Sequence, residues 1–145
     1  MAQRHAAILN HPVVLAALKQ AWNDSDPGIT GGHEEGGFIL QDLAGNLTVL
    51  RWPKGAQNSI IVPPHPGCKI GESLIVATFH THPNTGSDHL QEPSETDKRA
   101  IRDDSDLKGD FYEGELVISQ EKIYLIAATG EVREAWDSRE VFAEE

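Results

Sequence analysis

Residues 74–83 of this chain read LIVATFHTHP, an apolar run that changes into two histidines and a proline at its end. A continuous apolar run of this length is typical of a β-strand that is covered on both faces. Residues two apart in a strand point to the same side, so His80 and His82 are predicted to direct both imidazoles to one point while Thr81 faces away. Because a strand end is rigid on one side and open on the other, the pair is a candidate for two ligands of a catalytic metal site.

Outward from this strand, the pattern predicts one α/β domain over residues 1–145, with a mixed sheet and helices. Asn10 followed by Pro12 is typical of a helix cap and a first-turn proline, and apolar residues at three- and four-residue spacing predict an amphipathic helix up to Trp22. Strands are predicted at 37–40, 47–52, 59–62 and 74–79, a hairpin at 115–119 and 122–127, and a second helix at 94–102, while 132–142 forms a final segment without a clear pattern.

Length and composition exclude several classes of protein. A chain of 145 residues buries roughly 70% of the surface that its unfolded form exposes, which is enough for a full core. The one cysteine, Cys68, cannot close an internal disulfide or build a thiolate zinc site, so a reducing, cytoplasmic setting is expected. No apolar stretch is long enough to span a membrane, and residues 1–10 lack the pattern of a signal peptide.

The charge is acidic and unevenly distributed. A net charge of −11 has the wrong sign for binding nucleic acid or an anionic membrane, and neither is expected as a partner. Residues 88–145 hold 17 acidic and 7 basic residues, a net −10, whereas residues 1–87 carry a net −1. Acidic runs such as 103–106 are predicted to be solvated surface; their field also favours a basic partner, within about 8 Å at physiological salt.

A second polar cluster, PSETD at residues 93–97, opens the second predicted helix. One interpretation is a capping box, in which Ser94 caps the helix and Asp97 returns the hydrogen bond. The other is that Asp97 is a third metal ligand and that Ser94, one turn earlier, faces the same cavity. The sequence leaves both interpretations open.

An acidic pair precedes the first predicted strand, where residues 33–40 read HEEGGFIL. Glu34 and Glu35 are either ordinary loop carboxylates or a source of the base that a hydrolase needs. Gly36 and Gly37 let another group approach the backbone closely, so an open cleft is predicted there.

Together these residues supply the groups that a zinc-dependent hydrolase needs. Zinc in such a site takes three protein ligands and a water whose pKa it lowers, a carboxylate moves the proton, and a hydroxyl supports the developing oxyanion. The chain resembles the JAMM (MPN-plus) metalloprotease family in a motif that runs from residue 34 to residue 97. The resemblance is carried by Glu34 and Gly37, by His80-x-His82-Pro83 and by Ser94-x-x-Asp97.

The resemblance implies a role for each of these positions. His80, His82 and Asp97 would bind zinc, Glu34 would be the general acid and base, and Ser94 would support the oxyanion. It further implies a single MPN/JAMM-like domain of cytidine-deaminase-like architecture, with a mixed central sheet flanked by helices. The implied activity is that of a zinc metallopeptidase or isopeptidase, which cuts a peptide or lysine isopeptide bond at the tail of a ubiquitin-like or sulfur-carrier protein. The oligomeric state stays open.

Two positions in the motif have alternatives. Glu34 is chosen because it stands three residues before Gly37, as in the family, and Glu35 is the fallback. The loop 83–93 has eleven residues, longer than the family's usual spacing, so Asp88 or His89 within it is a rival for the third ligand. A longer surface loop costs little closure entropy, which favours an intact site beside a longer loop.

Other functions fit less well. His33-Glu34 begins like H-E-x-x-H, but Gly37 stands in the place of the second histidine. Nucleobase deaminases need a P-C-x-x-C pair that one cysteine cannot supply. A non-catalytic MPN-like scaffold module and a JAMM-like effector domain remain as alternatives. His5, His11 and His65 stand apart from this cluster and are predicted to be surface or packing residues.

Overall fold

The computed structural model describes residues 7–28, 32–56, 59–83 and 93–143. Within these ranges it has the predicted α/β class, with a mixed seven-stranded sheet and three α-helices. The strands are β1 (Gly36–Gln41), β2 (Leu47–Arg51), β3 (Lys69–Ile70), β4 (Ser73–Thr81), β5 (Glu115–Ile118), β6 (Lys122–Ile126) and β7 (Val132–Asp137). The α-helices are α1 (Pro12–Asp24), α2 (Glu95–Asp103) and α3 (Ser138–Ala143), and short 3-10 helices lie at Ala7–Asn10, Pro66–Cys68 and Ser105–Leu107.

The sheet order places β4 between β1 and β5. The order is β2-β1-β4-β5-β6-β7, and β3 pairs with β4 outside this path. β4 runs antiparallel to β1, with Gly36 opposite His80, and parallel to β5, with Thr78 opposite Glu115. The residues that precede β1 and the residue that opens β5 therefore lie beside the histidine end of β4.

β4 is covered on both faces, as the apolar run predicted. On one face Phe79 is fully buried in a core that also contains Val14 and Leu18 of α1. On the other face Thr78 and His80 line a cavity that α2 closes. This second face is therefore the place for a site.

The first predicted helix is confirmed, but its predicted cap is wrong. His11 is the residue before α1, and its Nδ1 accepts a hydrogen bond from the amide of Val13 at 3.3 Å. Asn10 instead ends the preceding 3-10 helix. Pro12 opens the helix as expected, because a first-turn residue needs no amide hydrogen.

The predicted strand at 59–62 is wrong. Residues 59–62 form a connection in which Ile61 is 84% exposed, and the two prolines that follow favour a loop over a ladder. The predicted hairpin is confirmed as β5 and β6, and the unassigned final segment forms β7 and α3. Among the helices in the described ranges, none has the length and apolar composition needed to cross a bilayer.

Candidate metal centre

The end of β4 holds two histidines with different partners. His80 is 4% exposed, and its Nδ1 is hydrogen-bonded to Oε2 of Glu115. His82 follows the strand, and its amide donates to the carbonyl of Ile118 at 2.8 Å, which continues the β4–β5 ladder by one residue. The two imidazole centroids lie 5.2 Å apart, so both rings occupy the same side as the alternation predicted.

Asp97 brings the third side chain from the first turn of α2. Its Oδ2 lies 3.0 Å from Nε2 of His82, and its Oδ1 lies 3.4 Å from Nε2 of His80. Asp97 also completes the capping box, because its Oδ2 accepts from the amide of Ser94 at 2.9 Å and its own amide donates to Oγ of Ser94 at 3.0 Å. The capping box is therefore confirmed, and it directs the carboxylate of Asp97 towards both histidines, so capping the helix and approaching the histidines are compatible.

These three side chains form a group that could hold a metal ion. One ligand atom from each of His80, His82 and Asp97 lies within 4.8 Å of the others. Nε2 of His80 is buried and has no hydrogen-bond partner among the described residues. Its contact with Oδ1 of Asp97 is long, at 3.4 Å, so coordination of a cation would satisfy this nitrogen better than its described neighbours do. The donor set thus fits a metal, and nitrogen with carboxylate oxygen is a set that zinc accepts.

The electrostatics of the group favour a positive charge at its centre. Burial opposes a charged His80 ring, but the carboxylates of Glu115 and Asp97 outweigh it and raise the pKa of His80 well above its usual range. Burial also opposes the charge on Asp97, yet the neighbouring imidazoles of His80 and His82 hold the pKa of this carboxyl well below its usual range. A cation and a proton would compete for the same nitrogen.

Glu34 lines the same cavity as His80 and Asp97. Its backbone is fixed just before β1 by the carbonyl of Ala56, 2.7 Å from its amide, and by the amide of Gly55, 2.9 Å from its carbonyl. The residue is 8% exposed. Burial raises the pKa of Glu34, although His80 and His82 pull it down. A carboxylate with a raised pKa beside a candidate metal group is suited to accept and return a proton.

Glu35, the fallback for Glu34, is held in a different network. Its Oε1 accepts from Nη2 of Arg51 at 2.5 Å, and its Oε2 pairs with Nε2 of His33 at 2.5 Å. Arg51 also bonds to Asp24 at the end of α1. Glu35 is therefore tied to the helix and not to the described lining of the cavity.

Ser94 is positioned by its role as a cap. Its Oγ accepts a hydrogen bond from the amide of Asp97. Thr96 is the first described residue of α2 that lines the cavity. Ser94 is thus adjacent to the candidate metal group through Asp97, while its hydroxyl is not among the described groups that line the cavity.

The cavity beside the group has an apolar wall. The volume of the cavity is about 190 Å³. The predicted open space beside the paired glycines is filled by the chain itself: a Cβ on Gly36 would lie 2.5 Å from Cε3 of Trp52, and one on Gly37 would lie 2.9 Å from Cε1 of Phe79. Nε1 of Trp52 is a buried donor without a partner among the described residues. The lining residues are Glu34, Trp52, Ser59, Ile60, Val62, Thr78, His80, Thr96, Asp97, Ala100, Ile101, Asp104, Leu107 and Glu115.

The sequence did not point to Glu115. It opens β5, and only the parallel pairing of β5 with β4 brings it beside His80. A lone glutamate before an apolar run carries no signal of such a role. The rival ligands Asp88 and His89 lie outside the described residues, as does His5. His65 pairs with Asp104, and His11 caps α1, so neither joins the group.

No protein-family model matches this chain, and neither a curated protein nor a solved structure is significantly similar to it. The interpretation of the site therefore depends on its residues and their geometry.

Proposed function

We propose that this protein is a zinc-dependent metallopeptidase or isopeptidase of the JAMM type, with a domain of MPN-like architecture. The observation that carries the proposal is the group formed by His80, His82 and Asp97, with the buried Glu34 in the cavity that His80 and Asp97 also line. Three protein ligands beside a separate proton acceptor are what a hydrolytic zinc site requires.

Each residue has a defined task in this proposal. His80, His82 and Asp97 hold the zinc, which when bound supplies Lewis-acid activation of water and of the scissile carbonyl. Glu34 takes a proton from the attacking water and delivers it to the leaving amine, a shuttle that its raised pKa suits. The oxyanion role of Ser94 comes from the resemblance to the JAMM family: its hydroxyl would donate to the developing oxyanion, and it would have to turn towards the cavity to do so, because its Oγ now accepts from the amide of Asp97 and does not line the described cavity.

The substrate in this proposal is an extended protein tail. In the described sheet β2 is an edge strand, and it leads directly to Trp52 in the cavity wall. A tail that adds to this edge by main-chain hydrogen bonds would run toward the candidate metal group. The resemblance to the JAMM family favours the tail of a ubiquitin-like or sulfur-carrier protein, joined to its leaving group by a peptide or lysine isopeptide bond.

The acidic second half of the chain also bears on the partner. Asp104 lines the cavity and Asp103 is exposed nearby, where its carboxylate pairs with the neighbouring Arg102. Asp106 is used locally, since its Oδ1 accepts from the amide of Gly67. Charge reversal at Asp103 alone is thus the clean test of electrostatic docking, because Asp104 and Asp106 also hold the fold. A basic partner should then show a higher KM.

The test of the proposed function compares two neighbouring glutamates. Zinc-loaded Glu34→Gln and Glu35→Gln are assayed on a panel of ubiquitin-like and sulfur-carrier proteins, each with a reporter peptide after its tail. We expect Glu34→Gln to lower kcat by about 100- to 10,000-fold with zinc still bound, and Glu35→Gln to retain most of the activity. Undiminished turnover of Glu34→Gln removes its assigned role. Zinc binding without cleavage of any reporter favours the non-catalytic scaffold.

A further inference from the structure

Glu115 is a buried residue that lines the same cavity and contacts Nδ1 of His80, whereas the other ring nitrogen of His80, Nε2, approaches Asp97. It opens β5, is 7% exposed, and pairs in register with Thr78 of β4. Side chains two apart on β4 share a face, so Thr78 and His80 both face the Glu115 carboxylate. This contact is made by the parallel pair of strands and not by a flexible loop.

Both oxygens of Glu115 are used, and the donors can be assigned from chemistry. An ionised carboxylate only accepts, so Nδ1 of His80 donates to Oε2, and Oγ1 of Thr78 donates to Oε1 at 2.8 Å. Because the single hydroxyl hydrogen of Thr78 is then committed, the phenol of Tyr112 must donate to Oγ1 at 2.7 Å. The result is a directed series: Tyr112 to Thr78, Thr78 to Glu115, and His80 to Glu115.

This series determines which nitrogen of His80 can bind a metal. With the hydrogen on Nδ1 committed to Glu115, the lone pair that remains for coordination is on Nε2, the nitrogen that lies 3.4 Å from Asp97. We propose that Glu115, held by Thr78 and Tyr112, is a positioning residue that fixes the orientation of His80 and makes its Nε2 a stronger metal ligand. The inference rests on the proposed function, since it requires a metal at His80, His82 and Asp97.

A purely structural role for Glu115 is a weaker explanation. A buried carboxylate loses its hydration, and apolar residues of similar volume often give equal or greater stability in such places. In contrast, metal-binding histidines regularly donate their other ring hydrogen to a carboxylate, and removing that carboxylate typically costs 10- to 100-fold in metal affinity. The two roles predict different measurements.

The experiment measures zinc affinity by competition with a chromophoric chelator, using the full chain. Glu115→Gln is expected to weaken zinc binding by about 10- to 100-fold. Glu113→Gln is the matched control, because Glu113 lies two residues earlier and takes no part in the series. The absorption spectrum of the cobalt-loaded forms, which reports ligand geometry, is expected to shift for Glu115→Gln and not for Glu113→Gln. A structural role would lower the free energy of unfolding of the metal-free chain and leave the cobalt spectrum unchanged.

A second pair of variants decides the question if Glu115→Gln does not fold. Thr78→Val removes the hydroxyl that holds Glu115 and keeps the side-chain shape, whereas Thr78→Ser keeps the hydroxyl. We expect Thr78→Val to bind zinc more weakly than Thr78→Ser, by less than the loss for Glu115→Gln. Equal zinc affinity of Glu115→Gln and the unmodified chain, or of Thr78→Val and Thr78→Ser, overturns the inference alone. If the unmodified chain takes up no zinc, the proposed function falls and the inference with it.

Discussion

Oδ2 of Asp97 lies 3.0 Å from Nε2 of His82, although the two residues are 15 positions apart and belong to a helix start and a strand end. The same oxygen accepts from the amide of Ser94 at 2.9 Å. The capping box, which normally only stabilises the start of a helix, therefore also orients a side chain of the candidate metal group. The stability of α2 and the geometry of the group are thus coupled through one carboxylate.

Two substitutions, one at each end of the capping box, test how zinc affinity and the stability of α2 depend on each other. Asp97→Asn keeps an oxygen that can accept from the Ser94 amide but loses the charge, so we expect zinc affinity to fall by more than about 100-fold, since even outer partners of a metal site are worth 10- to 100-fold. The metal-free chain should also lose stability at neutral pH, because the His80 and His82 imidazoles that lower the pKa of Asp97 lose their charged partner. Ser94→Ala removes the cap, so we expect a loss of about 1 kcal/mol in the free energy of unfolding and a smaller change in zinc affinity. Chelator competition and denaturant unfolding in the metal-free state measure the two quantities.

Unchanged zinc affinity of Asp97→Asn would contradict the assignment of Asp97 as the third ligand. If Asp97→Asn binds zinc as tightly as the unmodified chain, the third ligand comes from elsewhere, and Asp88 or His89 becomes the candidate. Adding Asp88→Asn and His89→Gln to the Asp97→Asn chain would then identify the ligand.

Local patterns in the sequence predicted the elements that carry the site. The apolar run before His80 predicted β4, because a strand buried on both faces leaves a continuous signal in a single segment. The S-x-x-D spacing predicted the start of α2, because a capping box is formed within four residues. The positions of both histidines and of Asp97 follow from these two local features.

Features that depend on distant pairing were not predictable. Glu115 reaches His80 only because β5 lies parallel to β4, and no local pattern specifies which strands become neighbours. The segment 59–62 has strand-like composition, yet Ile60 and Val62 instead line the cavity from a connection. Strand propensity describes a side chain that suits a half-buried surface, and a cavity wall is such a surface.

The buried carboxylate of Glu34 should make the metal-free protein less stable at neutral pH. Burial raises the pKa of Glu34 above its ordinary value of 4.5. At pH values above 4.5 the folded chain therefore binds more protons than the unfolded chain. The free energy of unfolding then falls as the pH rises through the raised pKa. Glu34→Gln cannot ionise. We therefore expect this variant to be more stable than the unmodified chain at neutral pH in the presence of chelator, with the difference disappearing below about pH 4.5.

The control for this prediction is the neighbouring glutamate. Glu35→Gln loses its ion pair with Arg51 and changes its hydrogen bond with His33, and we expect it to be less stable at neutral pH by about 1–2 kcal/mol. Urea unfolding at several pH values measures both variants. A Glu34→Gln chain that is less stable than the unmodified protein at neutral pH would show that the carboxylate is not desolvated.

A second pH dependence should come from His65, which pairs with Asp104 and is not part of the candidate metal group. Burial opposes its charge, but the carbonyl of Pro63 and the carboxylate of Asp104 raise the pKa of His65 above 6.5. A raised histidine pKa contributes stability that is fully present below pH 6.5 and is lost as the pH rises through the folded value. We expect His65→Gln to remove this decline and Asp104→Asn to remove only part of it, because the Pro63 carbonyl remains; both are measured in chelator as the difference from the unmodified chain. An unchanged decline in both variants would show that the pair is not formed.

Gly36, the first of the paired glycines that open β1, should be essential to the cavity wall. A Cβ on Gly36 would lie 2.5 Å from Cε3 of Trp52 and 2.6 Å from the carbonyl oxygen of Phe79, and the carbonyl belongs to β4 and cannot move aside. We expect Gly36→Ala to lower the free energy of unfolding by about 1–3 kcal/mol, as other overpacked sites do. Gly28→Ala is the matched control, because nothing lies within 4 Å of its added carbon, and its change should stay within about 0.5 kcal/mol or be slightly stabilising. Denaturant unfolding measures both; equal midpoints for the two variants would mean that Trp52 does not pack against Gly36, and the apolar wall beside His80 would lose its support.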